Sequence, residues 1–280
     1  MSMNSETEQR LLIARRIVDG LAVRTPLRAT LLAGSVAAGI ADEHSDIDLL
    51  HYYTELPDRE GFDGALRDLG GEPIGDISEP RREGFAGRYR FDGIEVQTGG
   101  NLIASLDERL ERIAAGDVDW ITAKVAMGLI DGIPLFGDDL IREWQSRARY
   151  PESLRRREVE ANLGWFPIWA IDGHLAARDA GLFRRQMLLD GAFRVVAILS
   201  AVNRLYFTTF QFKRAGAHFD AMKVKPDHLT ERIDKVANAE PSAAAEELRQ
   251  LVEETKAIVK AEIPEVETDR PWRPDLRTDD

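Results

Sequence analysis

Two aspartates one residue apart are the part of this sequence best suited to chemistry. Asp46 and Asp48 alternate with the apolar residues Ile47 and Leu49. Side chains alternate along a β-strand, so both carboxylates should lie on one face, with Cα atoms roughly 6.5–7 Å apart. Two like charges this close are costly to bury without a cation. Mg²⁺ prefers oxygen ligands and often binds one or two carboxylates together with substrate phosphates, so the pair predicts a magnesium site.

A glycine–serine pair precedes these aspartates. Gly34 and Ser35 follow a short apolar segment that is typical of a buried strand, and ten residues separate Ser35 from Asp46. Glycine lets the backbone turn sharply and approach a ligand. A helix that begins here would direct free N–H groups and its positive end toward an anion such as phosphate, and the serine hydroxyl adds a donor. Either motif alone is typical of ordinary structure, but together they favour a phosphate site beside a metal.

The combined pattern is a glycine–serine turn followed by Ser-Asp-Ile-Asp-Leu at positions 45–49. It resembles the signature of the DNA polymerase β-like nucleotidyltransferase superfamily. The layout further resembles the small bacterial antibiotic nucleotidyltransferases of the aminoglycoside and lincosamide type. The resemblance implies a metal-dependent transferase that moves a nucleoside monophosphate, by default AMP from ATP, to a hydroxyl of an acceptor. Gly34 and Ser35 would bind the nucleotide, and two Mg²⁺ ions would support in-line displacement of pyrophosphate.

The resemblance also implies a third carboxylate on a neighbouring strand, where it completes the metal site or acts as general base. Glu95, flanked by apolar residues, is the best match, and the competitor Asp92 lies in a predicted turn with Gly93. A glutamate departs from the commoner aspartate, and its longer side chain suits removal of a proton from the acceptor. The implied catalytic and metal-binding set is therefore Asp46, Asp48 and Glu95.

The acceptor side is left open by the sequence. A small molecule, possibly an antibiotic, is favoured as acceptor, with a protein acceptor and a non-catalytic nucleotide-binding module as alternatives. Relatives use a cation from their helical part on the phosphates, and Lys213 is the candidate here, although a solvated helix end explains it equally well. Asp172, Asp179 and Asp190 are further candidates for the base or for binding a cationic acceptor.

The elements that must position these residues divide into two parts near residue 149. The first part mixes strands and helices and the second shows helical periodicity, which predicts an α/β (α+β) fold with a short mixed sheet flanked by helices and then an α-helical bundle. We predict a catalytic domain over 1–149, a bundle over 150–264 and a polar tail over 265–280. Within them we predict strands at 29–33 and 46–53, a hairpin over 88–96, and long helices at 152–179 and 182–207.

The composition excludes several classes of protein. The chain has no cysteine, which rules out disulfides, thiolate zinc sites and cysteine nucleophiles. It has no long apolar run, so we expect no transmembrane helix and no membrane partner, and its polar start lacks a secretory signal. The net charge of −12 makes nucleic acid an unfavourable partner. These features are typical of a cytoplasmic enzyme.

Overall fold

The structure is a computed structural model that describes residues 4–210 and 212–272, with the backbone alone at 78–80. Internal contacts divide the chain into two compact units. The first unit comprises Met1–Asp117 and Lys124–Arg149, and the second comprises Val118–Ala123 and Tyr150–Asp280. The predicted domain bounds stay a prediction. No helix in the described part of the chain is both long and apolar enough to cross a membrane.

A six-stranded mixed sheet forms the centre of the first unit, in the order β3-β4-β5-β2-β1-β6. Strands β2 and β5 run parallel, and the other neighbouring pairs are antiparallel. The central strand β2 therefore has β1 on one side and β5 on the other. The strands are β1 (Ala29–Ala33), β2 (Ile47–Tyr53), β3 (Glu72–Arg81), β4 (Gly84–Phe91), β5 (Ile94–Leu102) and β6 (Ile133–Phe136).

Helices flank this sheet. The residues of the longest of them, α1 (Ser5–Arg24), explain why that helix forms. Its N-cap residue Asn4 accepts a hydrogen bond from the backbone N–H of Thr7 at 2.8 Å, which satisfies one of the free donors of the first turn. Its apolar stripe, including Ile17 and Leu21, is fully buried in the core of the sheet. The helices of this unit are α1 (Ser5–Arg24), α2 (Gly34–Ala37), α3 (Arg59–Asp68), α4 (Ile103–Ala114) and α6 (Asp138–Arg147), together with the part of α5 (Trp120–Asp131) that follows Ala123.

The predicted fold class, a mixed sheet with flanking helices followed by more helices, is confirmed. The predicted hairpin is present, and both of its turn residues, Asp92 (φ 50°) and Gly93 (φ 82°), have the positive φ that a two-residue type I′ turn requires. Strands β3 and β6 were not predicted. The sequence of β3 is polar and its register shifts three times, so it lacks regular alternation. Pro134 in β6 is tolerated because that strand is at the edge of the sheet.

The second unit is built from helices around a core between α9 and α12. Buried residues such as Leu188, Val195, Leu248 and Leu251 form that core. Each fully buried aliphatic side chain of this kind stabilises the folded state by about 1.5–3 kcal/mol. The helices are α7 (Glu152–Asn162), α8 (Ile168–Asp172), α9 (Gly181–Val202), α10 (Ala215–Asp220), α11 (Leu229–Asn238) and α12 (Pro241–Glu262).

The single long helix predicted over 152–179 is wrong. Helices α7 and α8 are separated by a break in which Gly164 has φ +126° and Pro167 precedes α8. Proline lacks the N–H that a continuous helix needs, and this glycine adopts a backbone conformation that L side chains rarely take. As a result Trp165 and Trp169 do not share a helix face. The indole of Trp165 donates to the carbonyl of Gly191 at 3.3 Å, and Trp169 is exposed.

The polar tail predicted over 265–280 is described only as far as residue 272, because residues 273–280 lie outside the described residues. Its first part is not a solvated extension. Val266 and Thr268 are buried, and the ring of Trp272 meets that of Phe166 edge-on with centroids 5.2 Å apart. Val266, Thr268 and Trp272 therefore pack on the helices of the second unit, while the residues between them stay exposed.

Candidate functional site

The turn after β1 is in close contact with the carboxylate of Asp48 on β2. Ala33, the last residue of β1, pairs with Asp48. Gly34 follows with φ +68°, and a Cβ placed on it would lie only 2.1 Å from Asp48 Oδ2. Any residue with a side chain would therefore displace the carboxylate. Glycine is required here by both the backbone conformation and the close approach.

The helix expected after Gly34 is a single turn of four residues, α2. It is too short to provide the anion-binding end of a long helix, and that part of the prediction is corrected. Its N-cap residue Ala33 provides no side-chain hydrogen bond to the first N–H groups of the turn. The half-buried Ser35 lies in this turn. Any anion site here rests on local backbone N–H groups and one hydroxyl.

The alternation inferred for the aspartate pair is present. Ile47 and Leu49 are fully buried, and Asp46 and Asp48 are half-exposed on the opposite face. Strand β2 begins at Ile47, one residue later than predicted. Because neither aspartate is fully buried, burial by itself does not demand a cation.

Strand β5 brings Glu95 to the same face as the aspartates. Its parallel pairing sets Val96 beside Ile47 and Gln97 beside Asp48. Residues two apart on a strand share a face, so Glu95 and Gln97 lie next to the aspartate pair. We name Asp46, Asp48, Glu95 and Gln97 the carboxylate face. The topology thus brings the three predicted carboxylates together through the only parallel pairing among the strand pairs described.

Gln97 links two of these carboxylates and was not identified from the sequence. Its side-chain Nε2 donates to Asp46 Oδ2 at 2.6 Å and to Glu95 Oε1 at 3.4 Å. Arg88 on the neighbouring strand β4 also approaches Glu95, with its Nη1 3.9 Å from Glu95 Oε1. The spacing of Gln97 two residues after Glu95 was a usable signal, because it assigns both to one face.

The donor atoms of this face fit a metal only in part. The aspartate pair supplies the oxygen ligands that suit one Mg²⁺. Glu95 is instead hydrogen-bonded by an amide and lies near a guanidinium. Within the residues that the structure describes, no group of three or more His, Asp or Glu side chains is arranged to hold a metal ion. The predicted two-ion site with Glu95 as third ligand therefore stays a prediction.

A small polar cavity of about 290 Å³ opens beside Asp46 and Glu95. The side chain of Arg10 lines it and is almost fully buried. Arg10 Nε donates to the carbonyl of Ser45 at 2.8 Å, which anchors the loop before Asp46 to helix α1. The competitor Asp92 lies in the hairpin turn and pairs with Arg16 on α1 at 2.9 Å.

Lys213 and the alternative bases belong to the second unit, whereas the other candidates belong to the first. Helix α9 ends at Val202, so Lys213 is exposed in a non-helical segment and not at a helix end as predicted. Asp190 accepts a hydrogen bond from Arg194 Nε at 2.9 Å. Asp172 and Asp179 are exposed. A nucleotide-binding role for Lys213 stays a prediction.

Comparison with known proteins gives little beyond these observations. The sequence matches no protein-family model, and no curated protein matches it. Among solved structures, it is similar to a nucleotidyltransferase-like protein from Exiguobacterium sibiricum. The two share 11% identity, and the match covers 93% of this chain and 81% of the other, with a TM-score of 0.36. A likeness this distant carries no argument about the fold or the activity of this chain.

Proposed function

We propose that the first unit is a nucleotidyltransferase that binds a nucleoside triphosphate, by default ATP, and transfers its nucleoside monophosphate to a hydroxyl of a small molecule, possibly an antibiotic. One observation carries this proposal: the Gly34 turn packs directly against the Asp48 carboxylate. The backbone N–H groups that would hold phosphate thus adjoin the oxygens that would hold its counter-ion. The location of Asp46 and Glu95 on one face of the sheet also supports the proposal.

The residues of this face divide the work of the proposed reaction. The N–H groups after Gly34 and the Ser35 hydroxyl would hold phosphate oxygens. Mg²⁺ bound by Asp46 and Asp48 would neutralise phosphate charge and acidify the acceptor hydroxyl. The acceptor oxygen forms a bond to the α-phosphorus, the bond from that phosphorus to the bridging oxygen breaks, and pyrophosphate leaves with the electron pair. Glu95 would take the acceptor's proton.

A second candidate function is nucleotide binding without transfer. The observation that favours it is the hydrogen bonding of Gln97 to both Asp46 and Glu95. The Gln97 amide that hydrogen-bonds to Glu95 competes with the use of this carboxylate as a base or as a metal ligand. In that case the carboxylate face would sense or store a nucleotide, and the acceptor would be absent.

The partners in this proposal are small. The net charge of −12 opposes association with nucleic acid. A cytoplasmic location suits the proposed use of ATP and Mg²⁺ and agrees with the lack of cysteine. Both the location and the choice of nucleotide belong to the proposal.

Isothermal titration of the full chain with α,β-methylene-ATP, with and without Mg²⁺, tests the nucleotide site. We expect binding that requires Mg²⁺ and that weakens at least about 100-fold in Asp48→Asn, since the variant loses the anionic ligand. Asp68→Asn is the matched control, because Asp68 is an exposed aspartate on α3 of the same unit. Equal binding by wild type and Asp48→Asn, or no metal-dependent binding at all, would contradict the proposal.

Transfer itself is tested by pyrophosphate release. The wild-type chain would be incubated with ATP, Mg²⁺ and a panel of hydroxylated small molecules, and α-labelled products separated. Release that depends on one acceptor class and is lost in Glu95→Gln supports the enzyme. Metal-dependent binding with no release for any acceptor selects the second candidate.

A further inference from the structure

The second unit contains a cavity that the proposed reaction does not use. Its volume is about 830 Å³, which is within the range of sites for drug-sized ligands. All of its lining residues belong to the second unit. They come from 118–123, from 150–162 and from 197–210. Three separate stretches of sequence therefore build one concave surface.

Aromatic rings form much of the wall. Tyr150 and Tyr206 lie with ring centroids 4.9 Å apart, and Trp120 and Phe210 lie 4.7 Å apart. Phe207 also lines the cavity. Trp120 is 50% exposed and Phe210 is 47% exposed. Exposure of large apolar rings to water is unfavourable in free energy, and a ligand that covers the rings would remove this cost.

The charges in the lining are negative. Among the described lining residues, Glu158 and Asp119 are carboxylates, and none is Lys, Arg or His. Asp119 is occupied as a helix cap, because its Oδ1 accepts from the backbone N–H of Thr122 at 2.7 Å. Glu158 is partly balanced by Arg157, whose Nη2 is 3.7 Å from its Oε1. Glu158 is thus the carboxylate best able to meet a ligand.

The environment of Glu158 indicates that its negative charge is under-compensated. Burial raises its pKa, and Arg157 offsets that effect only in part. The pKa of the Tyr150 hydroxyl is also raised, first by burial and then by the nearby charge of Glu158. A ligand with a positive charge would stabilise the ionised carboxylate, whereas an anion would meet repulsion.

We propose that this cavity binds an organic monocation with an apolar body, whose charge lies over the aromatic rings and pairs with Glu158. Ring faces attract cations, and the attraction strengthens when water is excluded. The side-chain amide of Asn162, which also lines the cavity, donates to the backbone carbonyl of Glu158 at 2.9 Å. This inference goes beyond the proposed function, which assigns no role to the residues of the cavity.

Tetraphenylphosphonium and tetraphenylborate test this site, because the two ions have nearly the same shape and opposite charge. Each would be titrated calorimetrically into the full chain. We expect tetraphenylphosphonium to bind in a one-to-one complex and tetraphenylborate to bind at least about tenfold more weakly, or not at all. Similar affinity for both ions, or no binding of the cation, overturns the proposal.

Variants then locate the cation in the cavity. Glu158→Gln should weaken tetraphenylphosphonium binding about tenfold. Glu160→Gln is the matched control, since it removes the same charge from the same helix outside the cavity lining. Trp120→Leu should also weaken binding, and Trp120→Phe should restore much of it. Circular dichroism would verify the fold of each variant. Unchanged affinity in both Glu158→Gln and Trp120→Leu overturns the assignment.

Discussion

The carboxylate face of the first unit and the aromatic cavity of the second are assembled in different ways. On the face, three polar side chains stand on two adjacent strands and Asp46 immediately precedes one of them, and their positions follow from the register of one parallel pairing. In the cavity, rings and two carboxylates come from three stretches of chain that helix packing brings together. Backbone hydrogen bonding thus determines the first site, whereas side-chain packing determines the second.

This difference has consequences for substitution. The aspartates of the face are half-exposed, so replacing them removes ligand oxygens without opening the core. Gly34, which contacts Asp48, and the buried His51 are instead held by the fold itself. In the cavity, the exposed rings are both wall and binding surface. The experiments below test whether the two regions act independently.

The largest effect is expected from removing both aspartates. Asp46→Asn/Asp48→Asn should abolish metal-dependent nucleotide binding while tetraphenylphosphonium affinity stays unchanged, because the cation site draws on a separate unit. Calorimetric titration of the same preparation with both ligands measures this. The reverse experiment uses Glu158→Gln, which should retain nucleotide binding. A loss of both affinities in either variant would show that the two sites are coupled. It would contradict the prediction that each variant affects only one site.

The next largest effect concerns the glycine turn. Gly34→Ala places a methyl group 2.1 Å from Asp48 Oδ2 in a backbone conformation with φ +68°, so both strain and displacement of the carboxylate are expected. We expect a loss of about 3 kcal/mol in the free energy of unfolding, together with loss of nucleotide binding. Urea denaturation and titration measure the two quantities.

Gly39→Ala is the matched control for this turn. Gly39 has φ +72° and no atom within 4 Å of an added Cβ, so it shares the backbone strain without the carboxylate contact. We expect it to lose about 1 kcal/mol of stability and to keep nucleotide binding. If the two variants behaved alike, the contact between Gly34 and Asp48 would have no special role.

A smaller effect is expected from acid on the first unit. His51 on β2 is fully buried, its Nδ1 lies 2.8 Å from Thr30 Oγ1, and burial lowers its pKa from 6.5 to about 3. The folded state therefore keeps this histidine neutral where the unfolded state binds a proton. Its contribution to stability is complete above pH 6.5 and is lost as the pH falls toward 3. We expect a loss of about 2 kcal/mol between pH 6.5 and pH 5.

Urea denaturation at several pH values measures this loss, with tertiary signals assigned to each unit. His51→Gln should flatten the dependence over this range, and His44→Gln, which changes an exposed histidine, should leave it unchanged. A pH dependence that survives in His51→Gln would place the acid-sensitive group elsewhere. Acid should thus affect the sheet that supports the carboxylate face.

Local signals predicted part of this architecture. The span of β1, the hairpin turn at Asp92-Gly93 and the alternation around Asp46 and Asp48 could be predicted because turn chemistry and the two-residue period of a strand act between near neighbours. The long helix over 152–179 was predicted wrongly from periodicity, although Gly164 and Pro167 were visible breakers. The irregular strand β3 offered no such signal.

The sequence by itself indicated which side chains are suited to chemistry and which of them share a strand face. Only the tertiary structure decided that β5 lies parallel to β2, that Gln97 therefore bonds to Asp46 and Glu95, and that α2 is a single turn. It also decided that rings from 118–123 and 150–210 enclose one cavity. The physical reason is distance along the chain: strand register and helix packing depend on residues far apart in sequence, whose pairing is selected by the burial of the whole core.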